Sequence, residues 1–589
     1  DALKNKVIRK NLTEQEIQEI SEHEFKEDCY IFNENINQLV ENINKLQQIK
    51  LSDLNNSVFS LLHAEISNLS TLAKTLTTKD LKNYQKLMNS FRELFKTYIS
   101  LITNQSWQAP DFGYSLDPQH GLFQEKIYSF YNDYQRYRID TKEIENRYNL
   151  CYKNINNIKH QAYLFNSGMG AFTSLLNSFT NYQSSIKIAG KNLYFEVFSI
   201  LKQDKNITFF DEKDIDSILT FIENNHPDYL FFDPVANSGH LPCCDFEKLF
   251  AYYQKNPPDK PVSVMIDITL CVHFFQINKF LSNSFPGNLN VFLYRSLQKL
   301  DQQGLDLVTG GLIIHYGNLN LLLDSFRQMG TMPTEVETAT LEKLGIKNIE
   351  PKLLRHSRNA LLIADYLANL KDKPESIIDK VFHPLLNSEP ESFFQVPLLF
   401  FSLKEHFNLE DNNAFLQELL KAAKAGEISL IAGTSFGFNC SRIMITTFPN
   451  SSIICFRFSP GTETLQEVYK LLNIFTEVTT NFVQNLKNLY EKENLGIYKN
   501  KKEHFNNFIN TLSQNELDYH SFKKITLLLN DLKNSLDKFR YYKNSKIFYF
   551  NILEQLSENF LKALDKLQVA NELKKEIIRF IADFNSPVP

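Results

Sequence analysis

Between residues 160 and 335 the chain alternates short β-rich runs with helical stretches, and no other feature narrows its fold as far. The runs are SIKIAG, ITFF, PDYLFFD, VSVMIDIT, NVFLYRS and GGLIIHY. Short apolar runs separated by segments with helical spacing predict an α/β fold with a mainly parallel sheet flanked by helices. Open sheets of this type take ligands beyond the carboxyl ends of their strands. Asp233, Asp267 and Ser296 end such runs, and Lys299 follows closely, so two acids, a hydroxyl and an amine are expected along one edge.

The flanks read differently. Residues 1–105 carry helical apolar spacing, as in IFNENINQLVENINKLQQI and LSDLNNSVFSLLHAEISNLSTLAKTL, with almost no glycine or proline, which predicts an N-terminal helical region. The segment TNQSWQAPDFGYSLDPQHG gathers Pro110, Gly113, Pro118 and Gly121 into a boundary. A large domain is expected over 106–335 and a smaller α/β domain over 336–485. The latter has helices around RHSRNALLIADYLANL and strands near SRIMITT and SIICFRFS. Residues 486–589, ending in LKKEIIRFIADF, read as a C-terminal helical extension.

A net charge of -5 over 589 residues gives no basic signature for nucleic acid. No stretch approaches the roughly 18 apolar residues of a membrane span, and the opening DALKNKVIRKNLTEQEI is charged and unlike a signal peptide, so a soluble, cytoplasmic protein is expected. The 7 cysteines show no repeated short spacing, which favours neither a disulfide framework nor a metal site. Adjacent Cys243 and Cys244 point apart on a strand or turn and read as packed thiols.

Asp267 and Lys299 together have the chemistry of a pyridoxal 5'-phosphate (PLP) site. Such a site needs an amine to hold the cofactor as a Schiff base and a carboxylate to keep its pyridine nitrogen protonated. The segment LFNSGMGAFTSLLNSF puts Ser167, Gly168, Met169 and Gly170 at a predicted helix start, where unpaired amides and the helix dipole suit a phosphate. The alternative at this point is a simple helix cap. Tyr194, Asn237 and the arginine of FRFSPGTE complete the set in chain order.

In that order the chain resembles the transsulfuration family of cysteine and methionine metabolism, over roughly residues 130–480. The family includes cystathionine synthases and lyases, methionine lyase and homoserine-ester sulfhydrylases. The resemblance implies an aspartate-aminotransferase-like large domain, a smaller α/β domain and PLP as cofactor, with the helical regions at both ends as additions. YQRYRIDT resembles the family's YSRYGNPT, which implies that Tyr134 and Arg136 reach a neighbouring subunit's phosphate, in a homodimer or homotetramer with shared active sites. SGMGAF resembles SGMAAI, giving Ser167, Gly168 and Met169 to the phosphate. YFEV resembles YGGT, so Tyr194 would stack on the pyridine ring and assist proton transfer. FDPVANSG resembles ESPTNP, placing Asp233 on the acid and Asn237 near the ring oxygen. DIT resembles DNT and SLQK resembles SATK, which gives Asp267 and Thr269 to the ring side, Ser296 to the phosphate and Lys299 to the Schiff base. GTSFGFNCSR and FRFSPGTE resemble ESLGGVES and VRLSVGIE, so Ser435 and Arg457 would bind the substrate's α-carboxylate. A structural salt bridge is the alternative for Arg457.

Several positions depart from the family pattern. Gln298 replaces a hydroxyl residue, Ile139 and Asp140 replace asparagine and proline, and Phe195 and Glu196 replace small residues beside the ring. Glu196 either recognises a substrate amine or cationic nucleophile, or points to solvent. The resemblance implies β/γ-elimination or γ-replacement on a sulfur-containing or homoserine-derived amino acid. The alternatives are a degenerate member acting as an interaction scaffold and a PLP aminotransferase or decarboxylase.

Overall fold

The computed structural model describes residues 12–47, 53–76 and 81–102, and the stretch 141–488 apart from short interruptions. Seven strands form the larger sheet: β1 (His160–Phe165), β2 (Lys187–Gly190), β3 (Ile207–Phe210), β4 (Tyr229–Phe232), β5 (Val262–Asp267), β6 (Leu289–Ser296) and β7 (Gly311–Tyr316). Their order is β1-β7-β6-β5-β4-β2-β3, and β7 alone runs against its neighbours. The expected mainly parallel sheet is therefore present, with β1 as a strand beyond the six runs read from the sequence.

The central strands are apolar along their whole length because both faces are covered. Successive residues enter different cores. Val264 and Ile266 of β5 join one cluster with Leu293 and Ile314, while Met265 joins another with Phe292 and Ile313. Helices supply the facing layers: Gly168–Ser178, Phe195–Leu201, Ile215–Asn225, Phe246–Lys255 and Leu323–Gln328.

The smaller sheet holds β8 (Ile378–Phe382), β9 (Leu399–Leu403), β10 (Leu430–Ala432), β11 (Ser441–Thr447) and β12 (Ile454–Ser459) in the order β10-β11-β12-β9-β8. Helices Ile349–Lys371 and Leu409–Ala425 belong to this half. The second begins with a capping box in which Asn408 and Asp411 satisfy each other's backbone N–H.

Three N-terminal helices, α1 (Glu14–Gln47), α2 (Asp53–Lys74) and α3 (Leu81–Ile102), pack through Phe32, Ile36, Leu39 and Ile43 of α1 against Ile66 of α2 and Phe91 and Phe95 of α3. The spacing of the α1 residues is one helical stripe. Leu305, Ala339 and Leu344 complete the same core, so these helices are bound to the loop after Lys299 and to helix Glu335–Leu344. The C-terminal extension expected over 486–589 lies almost wholly outside the described residues.

Candidate active site

Strand polarity assembles the site. β1, β2, β4, β5 and β6 all run the same way, so their carboxyl ends share one edge. Phe165 of β1 and Ser296 of β6 both pair with Gly311 of β7, which brings the turn after β1 beside the end of β6. Contact there is tight: a Cβ at Gly311 would stand 1.9 Å from the Ser167 carbonyl oxygen, and one at Gly168 would stand 3.1 Å from Ser296 Cα.

A cavity of about 790 Å³ opens over this edge. Ser167, Gly168, Met169, Tyr194, Glu196, Asn237, Asp267, Thr269, Ser296, Lys299, Ser435 and Arg457 all line it. Tyr134 and Arg136 lie outside the described residues. Ser167 is the N-cap of helix Gly168–Ser178, its Oγ accepting from the Gly170 N–H at 2.9 Å. This cap leaves the N–H groups of Gly168 and Met169, in the helix's first turn, without an intrahelical acceptor, so they are open to an anion.

On the opposite side, the Asp267 Oδ1 accepts from the Thr269 N–H at 2.9 Å and from its Oγ1 at 2.5 Å. Thr269 Oγ1 in turn accepts from the Ser296 N–H at 3.1 Å, tying the ends of β5 and β6. Burial raises the Asp267 carboxyl to about 6, although the Thr269 bonds and the Lys299 charge favour its ionised form. Asp233, fully buried beside it, is pushed further above the ordinary carboxylate range, by burial first and then by Asp267 and Glu212. Its Oδ1 and the Oδ1 of Asn237 are buried without a hydrogen-bond partner.

Lys299 Nζ donates to Ser435 Oγ at 2.7 Å. Its ammonium is disfavoured by burial and by Arg457, while Asp306 and Glu196 favour it, and the net shift is downward. Arg457 Nη2 donates to the Ser435 carbonyl at 2.8 Å, and its Nε has no partner. Among the described residues no ion pair joins Arg457 to a carboxylate. Ser435 adopts φ 74, a left-handed backbone that serine enters only under constraint. Two residues on, Gly437 at φ +84 lies so close over Lys299 that a Cβ would stand 1.9 Å from the Lys299 carbonyl.

Sequence reading named Arg457 but missed Met444 and Phe400, its paired neighbours on β11 and β9, which line the cavity with it. Alternation along β12 was the signal that fixes which side chains share the Arg457 face. Glu196 lies on the cavity wall, half-buried, beside Tyr194, whose ring packs edge-on to Phe195 at 4.9 Å. Gln298 donates through Nε2 to Asp306 Oδ1 at 3.0 Å.

These residues suit PLP. A helix start with open N–H groups, a buried acid and an amine stand around one cavity, and two buried oxygens there lack the donors that a polar ligand brings. No group of side chains able to hold a metal ion and no helix long and apolar enough to cross a membrane occurs among the described residues.

A mainly parallel sheet with such an edge fits the class of PLP-dependent enzymes. Residues 114–419 match the Cys/Met metabolism PLP-dependent enzyme family, and the chain belongs to it. Bifunctional enzyme flvA of Aspergillus flavus is 25% identical over 292 residues, 48% of this chain and 34% of that one. The chain thus spans about a third of that relative's length. Cystathionine gamma synthase from Xanthomonas oryzae pv. oryzae, solved with aminoacrylate and cysteine, is 16% identical with a TM-score of 0.46, covering 65% of this chain and 98% of that one. Cystathionine gamma-lyase from Lactobacillus plantarum, complexed with L-serine, is 18% identical with a TM-score of 0.47, covering 66% and 99%.

Proposed function

We propose that this chain is a PLP-dependent lyase or transferase carrying out β/γ-elimination or γ-replacement on a sulfur-containing or homoserine-derived amino acid. The observation that carries this reading is the joining of Lys299 and Arg457 through Ser435 on one wall of the cavity. An amine that can move protons and a guanidinium with no carboxylate partner among the described residues are what an α-amino acid requires. The family membership supports the coarse chemistry, and the Arg457 surroundings support an α-amino acid as substrate.

When bound, PLP supplies an electron sink that acidifies the substrate proton α to the carboxylate. Arg457 holds that carboxylate with its planar fork, aided by Ser435. Lys299 Nζ, its ammonium already disfavoured, takes the α proton and can return it to a neighbouring carbon. Tyr194 keeps its phenolic proton, since burial and the nearby carboxylates of Glu196 and Asp267 raise it, and so can protonate a departing group. Asp267 would face the ring nitrogen, Asn237 the ring oxygen, and Ser167, Gly168, Met169 and Ser296 the phosphate, while Thr269 keeps Asp267 oriented. Glu196 stands where a distal amine of a substrate or nucleophile would reach. By the likeness of YQRYR to the family segment, Tyr134 and Arg136 serve a neighbouring copy, so the working unit is a dimer or tetramer.

Absorbance spectra test the cofactor role: added PLP should give a visible band that Lys299→Ala abolishes. Keto-acid release is then assayed from cystathionine, methionine and O-acylhomoserine, with and without cysteine. Release from O-acylhomoserine only in the absence of cysteine supports replacement, and release unaffected by cysteine supports elimination. No turnover of any of the three would overturn the substrate class.

A further inference from the structure

The loop that follows Lys299 is held from outside the family match. Gln303, Gly304 and Asp306 all lie in the left-handed region, at φ 54, 81 and 50. Two of these are not glycine, and such a backbone persists only when its surroundings over-determine it. The surroundings are the N-terminal helices. Asn35 of α1 and Gln303 exchange amide hydrogen bonds, at 2.6 Å from Asn35 Nδ2 and 3.4 Å from Gln303 Nε2. Arg92 of α3 donates through Nε to the Leu305 carbonyl at 2.7 Å and through Nη2 to the Asp306 carbonyl at 3.1 Å. From the other side, Lys352 Nζ donates to the Gln303 carbonyl at 2.6 Å.

The inner face of the same loop touches the cavity. Asp306 Oδ1 accepts from Gln298, which lines the cavity next to Lys299. Gln298 is also the position at which this chain departs from the family's hydroxyl residue. A guanidinium binding two successive carbonyls fixes a backbone more firmly than a single donor, because both peptide planes are set at once.

We propose that Arg92 is a positioning residue for the active site: by gripping the Leu305 and Asp306 carbonyls it holds the Asp306 carboxylate on Gln298 and within electrostatic reach of the Lys299 amine. This rests on the reading of Lys299 as the cofactor amine. The charged groups facing Lys299 are Arg457 from β12, Arg442 from β11, Glu196 from the helix Phe195–Leu201, Asp267 from β5 and Asp306 from its own loop. Burial and the two arginines work against the ammonium, and Asp306 and Glu196 work for it. Releasing Asp306 therefore leaves the amine neutral to lower pH.

The test reads the amine directly. PLP-free, full-length protein is labelled with a trace of acetic anhydride across a pH series, and acetylation at Lys299 is quantified by mass spectrometry. Asp306→Asn keeps the backbone carbonyl that Arg92 binds and tolerates the left-handed conformation, so it folds as the parent does. It should move the Lys299 inflection about one pH unit lower. Arg92→Gln should move it the same way, Arg92→Lys should restore part of the shift, and R92Q/D306N should shift it no further than Asp306→Asn alone. An inflection unmoved in Arg92→Gln, with only the unfolding midpoint lowered, overturns the proposal. So does full additivity of the two substitutions, which would make their effects independent. The cofactor reading fails separately: if added PLP gives no Lys299-dependent visible band, that reading falls, while the acetylation shifts still decide the role of Arg92.

Discussion

At the scale of single residues, Asp267 carries opposed demands. Its carboxyl stands at about 6 rather than the ordinary 3.8, chiefly because it is buried. An acid raised in this way binds its proton more tightly folded than unfolded, so it subtracts stability as pH rises from about 4 to about 6, and the loss persists at neutral pH. Asp267→Asn should therefore stabilise the PLP-free protein at pH 7, on the order of 2 kcal/mol, and flatten its pH dependence between 4 and 6. Urea denaturation across that range checks this, and the same variant should lose the cofactor's visible band or bind PLP more weakly. Arg457 allows a cleaner separation. Arg457→Lys keeps the charge but loses the fork, and should lower kcat/KM by roughly 10- to 100-fold while leaving the cofactor spectrum unchanged. A spectrum that changes as much as the kinetics would place Arg457 on the cofactor instead. Asp267 and Lys299 were legible in the sequence because one ends an apolar run and the other closely follows one, and Arg457 because it interrupts one. Arg92 was not, since its partners lie 213 and 214 positions away and distant pairing leaves no periodic trace.

Among elements, the parallel strands were the most readable, because strands buried on both faces must be nearly continuous apolar runs. β1 escaped because His160 and Gln161 open it and its neighbour runs antiparallel. Its consequence is the crowding at Gly311, where β7 meets the turn that starts helix Gly168–Ser178. Gly311→Ala should cost about 3 kcal/mol and weaken PLP binding, since a Cβ at 1.9 Å from the Ser167 carbonyl forces the turn to move. Calorimetry and PLP titration of the variant measure both effects, and an unchanged midpoint would show that the turn shifts freely. α1 is anchored as specifically. Glu24 pairs through Oε1 with Arg358 and through Oε2 accepts from the Leu465 N–H at 2.8 Å. Glu24→Ala removes the carboxylate on Arg358, which keeps its bonds to Asn359 and the Glu463 carbonyl, and the acceptor of a backbone donor, so a loss of about 2 kcal/mol is expected in urea denaturation. The helical character of α1 was plain from its spacing; the identity of what it grips was not.

For the whole molecule, the N-terminal helices are part of one core with the loop after Lys299. Deleting residues 1–102 should expose Leu305, Ala339 and Leu344, giving a chain that aggregates and fails to show the PLP band, by light scattering and absorbance. A monodisperse, PLP-binding truncation would show those helices to be separable. The sequence predicted a helical region there but could not join it to the site, because a stripe of apolar residues states that a partner exists and not which one. The two buried acids at the ends of β4 and β5, Asp233 and Asp267, have a further consequence at this scale. A ligand that binds only the folded chain adds to its stability in proportion to the logarithm of its concentration. Cellular vitamin supply would then govern how much of this protein survives proteolytic turnover, and its steady-state abundance would report on cofactor before any reaction is measured.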